Sequence, residues 1–188
     1  MRRLIYYITI SADGMYADPD GGLSYFEPAE DEHRYANHLI RDAGDIVNGR
    51  VMYDVMDYWD DLDLDDPKTS DIEREFATFW RETPKYVASR GRPVLRANAT
   101  HIEGDVVEAV RRMKTEDGPY ISLGCGADLF AQLSDAGLID EYRFLVAPVA
   151  LGRGKALFAK LAAPLDLRLT SATTTSGGGV LLEYVPAS

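Results

Sequence analysis

Four short segments of this chain carry side chains whose type and spacing could act on a small molecule. In Ser11-Ala-Asp13-Gly14-Met-Tyr16, a carboxylate lies just past an apolar run. There Asp13 could orient a polar substrate edge or help deliver a proton, or it could only cap an Asp-Gly turn. In Asp45-Ile-Val-Asn48-Gly49-Arg50-Val-Met52-Tyr53, a strand pattern gives way to a helix pattern. Free backbone N–H groups and the helix dipole favour phosphate at such a junction. Asn48, Gly49 and Arg50 are therefore candidate binding residues, and the alternative for Arg50 is a surface ion pair. Ser89 and Arg90 end the segment Lys85–Arg90, at the carboxyl edge expected of a parallel strand, where open α/β sheets bind ligands. A guanidinium there suits a nucleotide 2′-phosphate, and the plainer reading is a solvated arginine. The fourth segment is the turn Gly124-Cys125-Gly126. Its glycines allow close approach to a pyrophosphate, although the six-residue spacing of a dinucleotide fingerprint is absent. Cys125 has no histidine nearby in sequence to activate it and is expected to be a buried, inert thiol.

The elements that must position these residues can be read from apolar periodicity. Arg3–Ser11 is a near-continuous apolar run and predicts a buried strand. A helix is expected over Asp31–Ala43, with Gly44 as its C-cap. A short strand follows at Asp45–Asn48 and a second helix over Gly49–Met56. Asp60–Asp66 reads as an acidic loop. Ser70–Glu82 predicts a helix, with Ser70 and Glu73 forming a capping box. Further strands are expected at Lys85–Ser89, Tyr120–Leu123 and Tyr142–Val149, and helices over Gly104–Glu116 and Ala127–Ala136. Leu165–Thr175 and Val180–Val185 read as a terminal antiparallel hairpin. Strands alternating with helices imply parallel pairings with right-handed crossovers, so a mixed α/β sheet in a single domain over residues 1–188 is expected.

Composition removes several function classes. The 188 residues suffice for a buried core without staples, and their formal net charge of −11 repels phosphate backbones, so no nucleic-acid partner is expected. No apolar run approaches the roughly 20 residues that span a bilayer, and the short run after Arg2-Arg3 ends without a cleavage signal. A cytoplasmic protein without a membrane partner is expected. One cysteine excludes an internal disulfide and a multi-cysteine metal site. Asp61, Asp63 and Asp65 mimic the start of a calcium loop but lack its glycine and closing glutamate. His33 and His38 are poorly spaced for a shared metal and His101 stands alone, so no metal is expected.

The stretch Gly137–Phe158, GLIDEYRFLVAPVALGRGKALF, combines GL-[IV]-DE, P-V-x-LG-x-G and LF in one order. It resembles the strand and loop that close the C-terminal reductase domain of bacterial riboflavin-pathway deaminase-reductases, within the wider dihydrofolate-reductase-like family. The resemblance extends from Leu4 to Tyr184. Ser11–Ala17 is similar to the family's S-x-D-G-x-I-A, and Asp45–Tyr53 to D-x-[IVL]-[LV]-G-R-x-T-[YF]. It implies a dihydrofolate-reductase-like α/β fold with a central, mostly parallel sheet flanked by helices. It also implies NADPH lying across Asn48–Arg50, Ser89–Arg90 and Gly124–Gly126, with Asp13 and Tyr16 facing a small-molecule substrate. The loop bearing Leu151 and Gly152 would border the substrate pocket and the subunit contact of a homodimer built through the C-terminal strands. Asp140 and Glu141 are expected to be structural. Trp59, after Tyr53 and Tyr58, could line a ligand pocket, the alternative being a core aromatic.

Departures from the pattern matter as well. Asn48 stands where an aliphatic residue is usual, Met52 replaces a threonine, and Gly91-Arg92-Pro93 replaces a threonine-leucine pair. Counting back from Leu129 puts Cys125 on the family's first glycine, whereas a one-residue shift puts Gly124 there. The arginine of the riboflavin enzymes' D-D-P-x-L-x-x-R segment has no counterpart after Tyr53. Zinc-deaminase ligands are missing too, so the chain is similar to the stand-alone branch of these reductases. The expected activity is NADPH-dependent reduction of a small heterocycle, of the 5-amino-6-(5-phosphoribosylamino)uracil or dihydrofolate kind. The alternatives are a non-catalytic or repurposed ligand-binding homodimer on the same scaffold, and a flavin-binding oxidoreductase.

Overall fold

The computed structural model describes residues 1–187. In chain order its elements are β1 (Leu4–Ser11), β2 (Met15–Ala17), α1 (Glu30–Arg41), β3 (Asp45–Gly49), α2 (Arg50–Met56) and α3 (Tyr58–Asp61). Then come α4 (Asp71–Glu82), β4 (Lys85–Ala88), β5 (Ala99–Ile102), α5 (Val106–Thr115), β6 (Ile121–Gly124) and α6 (Ala127–Asp135). The chain closes with β7 (Glu141–Ala147), β8 (Lys155–Ala156), a 3-10 turn (Leu157–Lys160), β9 (Leu167–Thr174) and β10 (Val180–Pro186). Eight strands form one sheet in the order β5-β4-β3-β6-β1-β7-β10-β9, and β2 pairs separately with β8. The first six strands of that order run parallel. β10 is antiparallel to both β7 and β9. This is the mostly parallel sheet with an antiparallel terminal hairpin that the sequence implied.

Burial follows the alternation of each strand. Leu4, Tyr6, Ile8 and Ile10 of β1 turn to the face covered by α5 and α6, in one core with Phe130 and Phe144. Ile46 and Val87 face the other way, into a second core with Ile40, Tyr53, Phe76 and Trp80. Ser70 and Glu73 make the expected capping box on α4, the Ser70 amide donating to Glu73 Oε2 at 2.8 Å. Asp105 caps α5 by accepting from the Val107 amide at 2.8 Å.

Some expectations need correction. α1 stops at Arg41 with Asp42 as its C-cap, so Gly44 does not terminate it. Gly44 serves instead the packing of Arg2, because a Cβ placed there would lie 2.7 Å from Arg2 Nη2. Asp60 and Asp61 are not free loop carboxylates: they end α3, Asp60 accepting from Trp80 Nε1 at 2.8 Å and Asp61 from Arg96 at 2.6 Å. The short strands β2, β5 and β8 carry too few residues to show a period, and the sequence did not reveal them. Among the described residues no helix is long and apolar enough to cross a membrane.

Lys85 opens β4 and is 1% exposed. Its ammonium group reaches back to the Trp80 and Thr83 carbonyls at the end of α4 and lies 4.6 Å from the centroid of a Trp80 ring. Lysines near a helix end stabilise the last carbonyls in this way. Burial pushes the Lys85 pKa down to about 8. Between that value and its ordinary one the unfolded chain holds the proton more tightly, so this group makes stability rise with pH over that window. Lys85→Met is expected to cost about 1–3 kcal/mol at neutral pH, by leaving two buried carbonyls unpaired. It should also flatten the rise above pH 8. Urea unfolding from pH 7 to 10 measures both, and an unchanged profile would remove Lys85 from the account.

Candidate functional site

Because six strands run parallel, their carboxyl ends lie along one edge of the sheet. That edge holds Ser11, Gly49, Ala88, Gly124 and Ala147, the last residues of β1, β3, β4, β6 and β7. Asn48 pairs with Gly124 across β3 and β6, and with Val87 across β3 and β4. Three candidate segments, Asn48–Arg50, Ser89–Arg90 and Gly124–Gly126, thus come to a common edge, where such sheets bind ligands.

The β6–α6 turn is built by close approach. Asn48 Nδ2 donates to the Gly124 carbonyl at 3.2 Å, and a Cβ on Gly124 would sit 2.8 Å from that nitrogen. Asn48 Oδ1 is buried without a hydrogen-bond partner. A Cβ on Gly49 would lie 3.2 Å from Cys125 Cβ, so glycine lets β3 and the turn pack together. The Cys125 carbonyl accepts from the Tyr6 hydroxyl at 2.9 Å. Its thiol is fully buried, and burial pushes its pKa well up, so it stays protonated and does not act as a nucleophile. α6 begins directly after Gly126 without a side-chain cap. Its first amides therefore have no intrahelical partner. Tyr16 lies over this turn: a Cβ on Gly126 would be 3.0 Å from its hydroxyl oxygen. Burial raises the Tyr16 pKa, and the neighbouring Ala127 amide partly offsets that rise.

Asp13 closes a second cluster. Its carboxylate accepts from the Ser11 hydroxyl at 2.6 Å, the Leu151 amide at 3.0 Å and the Gly152 amide at 2.7 Å. Ser11 in turn accepts from the Met15 amide at 2.9 Å. The Ser11 hydroxyl first, then the two amides, push the Asp13 pKa down to about 2. At neutral pH Asp13 is an anion that ties the loop of Leu151 and Gly152 to the end of β1, and it has no proton to deliver. Both the charge and the loop contact belong to the same three donors.

The remaining candidates divide. Arg50 forms an ion pair with Asp54 at 2.7 Å, the surface alternative read from its helix spacing. Arg90 and Arg92 are exposed and, among the described residues, make no ion pair. The Ser89 hydroxyl accepts from the Gly91 amide at 3.3 Å, and its carbonyl lies 3.0 Å from His101 Nε2. Trp59 departs from the pocket reading. It packs at a tilt against Phe76, with ring centroids 4.6 Å apart, and against His33 at 5.7 Å, at the second core, because α3 turns its ring toward α1 and α4. Asp140 and Glu141 are structural as expected, joined to Lys114 and to Arg3 and Arg143. Ser11 and Met52, which crowds Gly124, were not among the sequence candidates. The Ser11–Asp13 spacing, an oxygen pair two residues apart at a strand end, was the available signal.

The profile of the RibD C-terminal domain matches residues 2–181. The chain belongs to the RibD C-terminal domain family. It is 28% identical over 183 residues to the uncharacterised protein YyaP of Bacillus subtilis strain 168, covering 97% of this chain and 94% of that one. It is also 28% identical to that organism's uncharacterised YwjB, with 99% of both chains covered. Among solved structures, a protein assigned to riboflavin biosynthesis in Shewanella sp. PV-4 superposes with a TM-score of 0.75 at 20% identity, over 99% of each chain. RibD of Acinetobacter baumannii gives 0.67 at 19% identity, covering this whole chain but 58% of the larger protein. A pyrimidine reductase-like protein of Corynebacterium diphtheriae gives 0.64 at 12% identity over 92% of its chain. These structural likenesses show the fold. In this RibD C-terminal domain chain, Gly49 and the Gly124–Gly126 turn lie at the carboxyl edge of the sheet, with the exposed Arg90 just beyond the end of β4. Among the described residues no three histidine, cysteine or acidic side chains come together to hold a metal.

Proposed function

We propose that this protein is an NADPH-dependent reductase of a small nitrogen heterocycle of the aminouracil or pterin kind. The observation that carries the reading is the convergence of Asn48–Arg50, Ser89–Arg90 and Gly124–Gly126 on one sheet edge, with Arg90 exposed just past the end of β4. When bound, the reduced nicotinamide supplies a hydride. Arg90 and Arg92 would hold the 2′-phosphate charge, and the first amides of α6 would offer donors to a pyrophosphate oxygen. Asp13 orders the Leu151–Gly152 loop that walls the substrate side, so its contribution is position rather than acid catalysis. A cytoplasmic homodimer, paired through the terminal hairpin whose outer strand β9 has an open edge, completes the proposal.

The test is a titration with NADPH and NADH, read by nicotinamide fluorescence, followed by turnover on pyrimidine and pterin substrates. Replacing both Arg90 and Arg92 with glutamine is expected to weaken NADPH about tenfold while leaving NADH nearly unchanged, since both side chains are exposed, an exposed ion pair is worth up to about 1 kcal/mol, and tenfold corresponds to about 1.4 kcal/mol. Equal loss for both cofactors would move the 2′-phosphate elsewhere. Absence of binding by the wild type to either cofactor would refute the reading. A second reading, a ligand-binding scaffold without turnover, is favoured by one feature: Arg50 is already committed to Asp54. Cofactor binding without turnover on any heterocycle would support it.

A further inference from the structure

The β6–α6 turn carries a side chain where a phosphate-bearing ligand would sit. Tyr16 projects from β2, a three-residue strand that pairs with β8 and buries Ala17. A Cβ on Gly126 would be 3.0 Å from the Tyr16 hydroxyl oxygen and 3.1 Å from two of its ring carbons, so the ring lies against the glycine's open face. The hydroxyl stands beside the Ala127 amide, the first N–H of α6. That amide is the donor a pyrophosphate oxygen needs at this helix start. A phenol oxygen and a phosphate oxygen cannot both occupy the same position on it.

The strand carrying Tyr16 has the attachments of a movable flap. β2 and β8 share only two residue pairings, with a register shift between them. The flap is bracketed by Gly14 at φ +81° and Gly152 at φ +71°, left-handed positions that favour glycine. Below it, Asp13 fixes the flap's base through the Leu151 and Gly152 amides. The base is therefore tied down, whereas Tyr16 is half-buried, its ring lying over the turn at the margin of the first core.

We propose that Tyr16 is a gate on the dinucleotide site: in the free protein its ring and hydroxyl cover Gly126 and the Ala127 amide, and binding requires the β2–β8 flap to lift. The gate rests on the cofactor reading above and adds to it a regulation of the same site. Its cost is read as apparent affinity, because a ligand that binds only the open form has its affinity reduced by the open fraction. A closed form that outweighs the open form about ten to one therefore weakens apparent binding about tenfold.

The experiment is NADPH titration of the wild type, Tyr16→Phe and Tyr16→Ala, followed by nicotinamide fluorescence, with hydrogen exchange at the Ala127 amide measured without ligand. Tyr16→Ala is expected to bind NADPH about tenfold more tightly than the wild type. Tyr16→Phe, which keeps the ring and the fold but loses the hydroxyl, should fall between them. Exchange at Ala127 should quicken in the same order. Equal or weaker binding by both variants, with the wild type binding NADPH, would overturn the gate and leave the cofactor site standing. Failure of all three proteins to bind would refute the cofactor reading, and the gate with it.

Discussion

Tyr6→Ala is expected to lower the melting temperature by roughly 10–15 °C. Tyr6 is fully buried at the centre of the sheet, its ring 4.7 Å from Phe130 and 6.2 Å from Phe144. Truncating a buried aromatic to alanine costs about 3–5 kcal/mol through lost transfer energy and a residual cavity. For a chain of this size each kcal/mol moves the midpoint by about 2–4 °C. The effect reaches the site as well, because the Tyr6 hydroxyl holds the Cys125 carbonyl at 2.9 Å. Tyr6→Phe separates the two contributions. It keeps the ring and strands one buried carbonyl, for about 1–3 kcal/mol. Calorimetry on both variants, with NADPH titration of Tyr6→Phe, is the measurement. A Tyr6→Phe protein with full stability and affinity would show that the hydroxyl does not hold the turn.

The second large effect is expected at Asp13. Asp13→Ala removes the shared acceptor of the Ser11 hydroxyl and the Leu151 and Gly152 amides. The loop would then be free to shift, and a displacement of about 1 Å at a reacting centre can cost 10²-fold in rate. Under the proposed function, turnover is expected to fall by about that factor while the core melts nearly as before. Asp13→Asn keeps the size but turns an N–H₂ group toward one of the amide donors, so it should recover only part of the loss. The pH dependence has a definite sign. Asp13 is held below its ordinary range, so the clamp is complete above about pH 4 and is lost as pH falls through about 2. A proton-donating Asp13 would instead lose activity on ionising, near pH 4 or above. Amide exchange at Leu151 and Gly152, followed from pH 6 downward, distinguishes the two, and protection unchanged in Asp13→Ala would refute the clamp.

Arg50 and Trp59 show how far residue-by-residue reading extends. For Arg50 both possibilities were visible locally, since Asp54 lies one helical turn on, and the structure selects the ion pair. For Trp59 the neighbouring tyrosines suggested a pocket, yet its actual partners, His33 and Phe76, come from α1 and α4. No local pattern connects those residues. Asn48 is a third case: its substitution was visible, but its bond to the Gly124 carbonyl, 76 residues away, was not.

By itself the sequence determined the longer helices and strands, the family and the segments that reach the sheet edge. Each is written in short-range signals: the apolar run of β1, the Ser70–Glu73 capping box, the glycines of the β6–α6 turn and the ordered motif of Gly137–Phe158. Tertiary structure alone decided what those segments do to one another. It joined Asp13 to Gly152 across 139 positions and Tyr6 to Cys125 across 119. It also set the Tyr16 ring on Gly126. The physical reason is that capping and periodicity depend on neighbours a few residues away, whereas contacts at an edge follow the strand order. That order comes from how two cores pack against opposite faces of one sheet, and no single stretch of the chain specifies it.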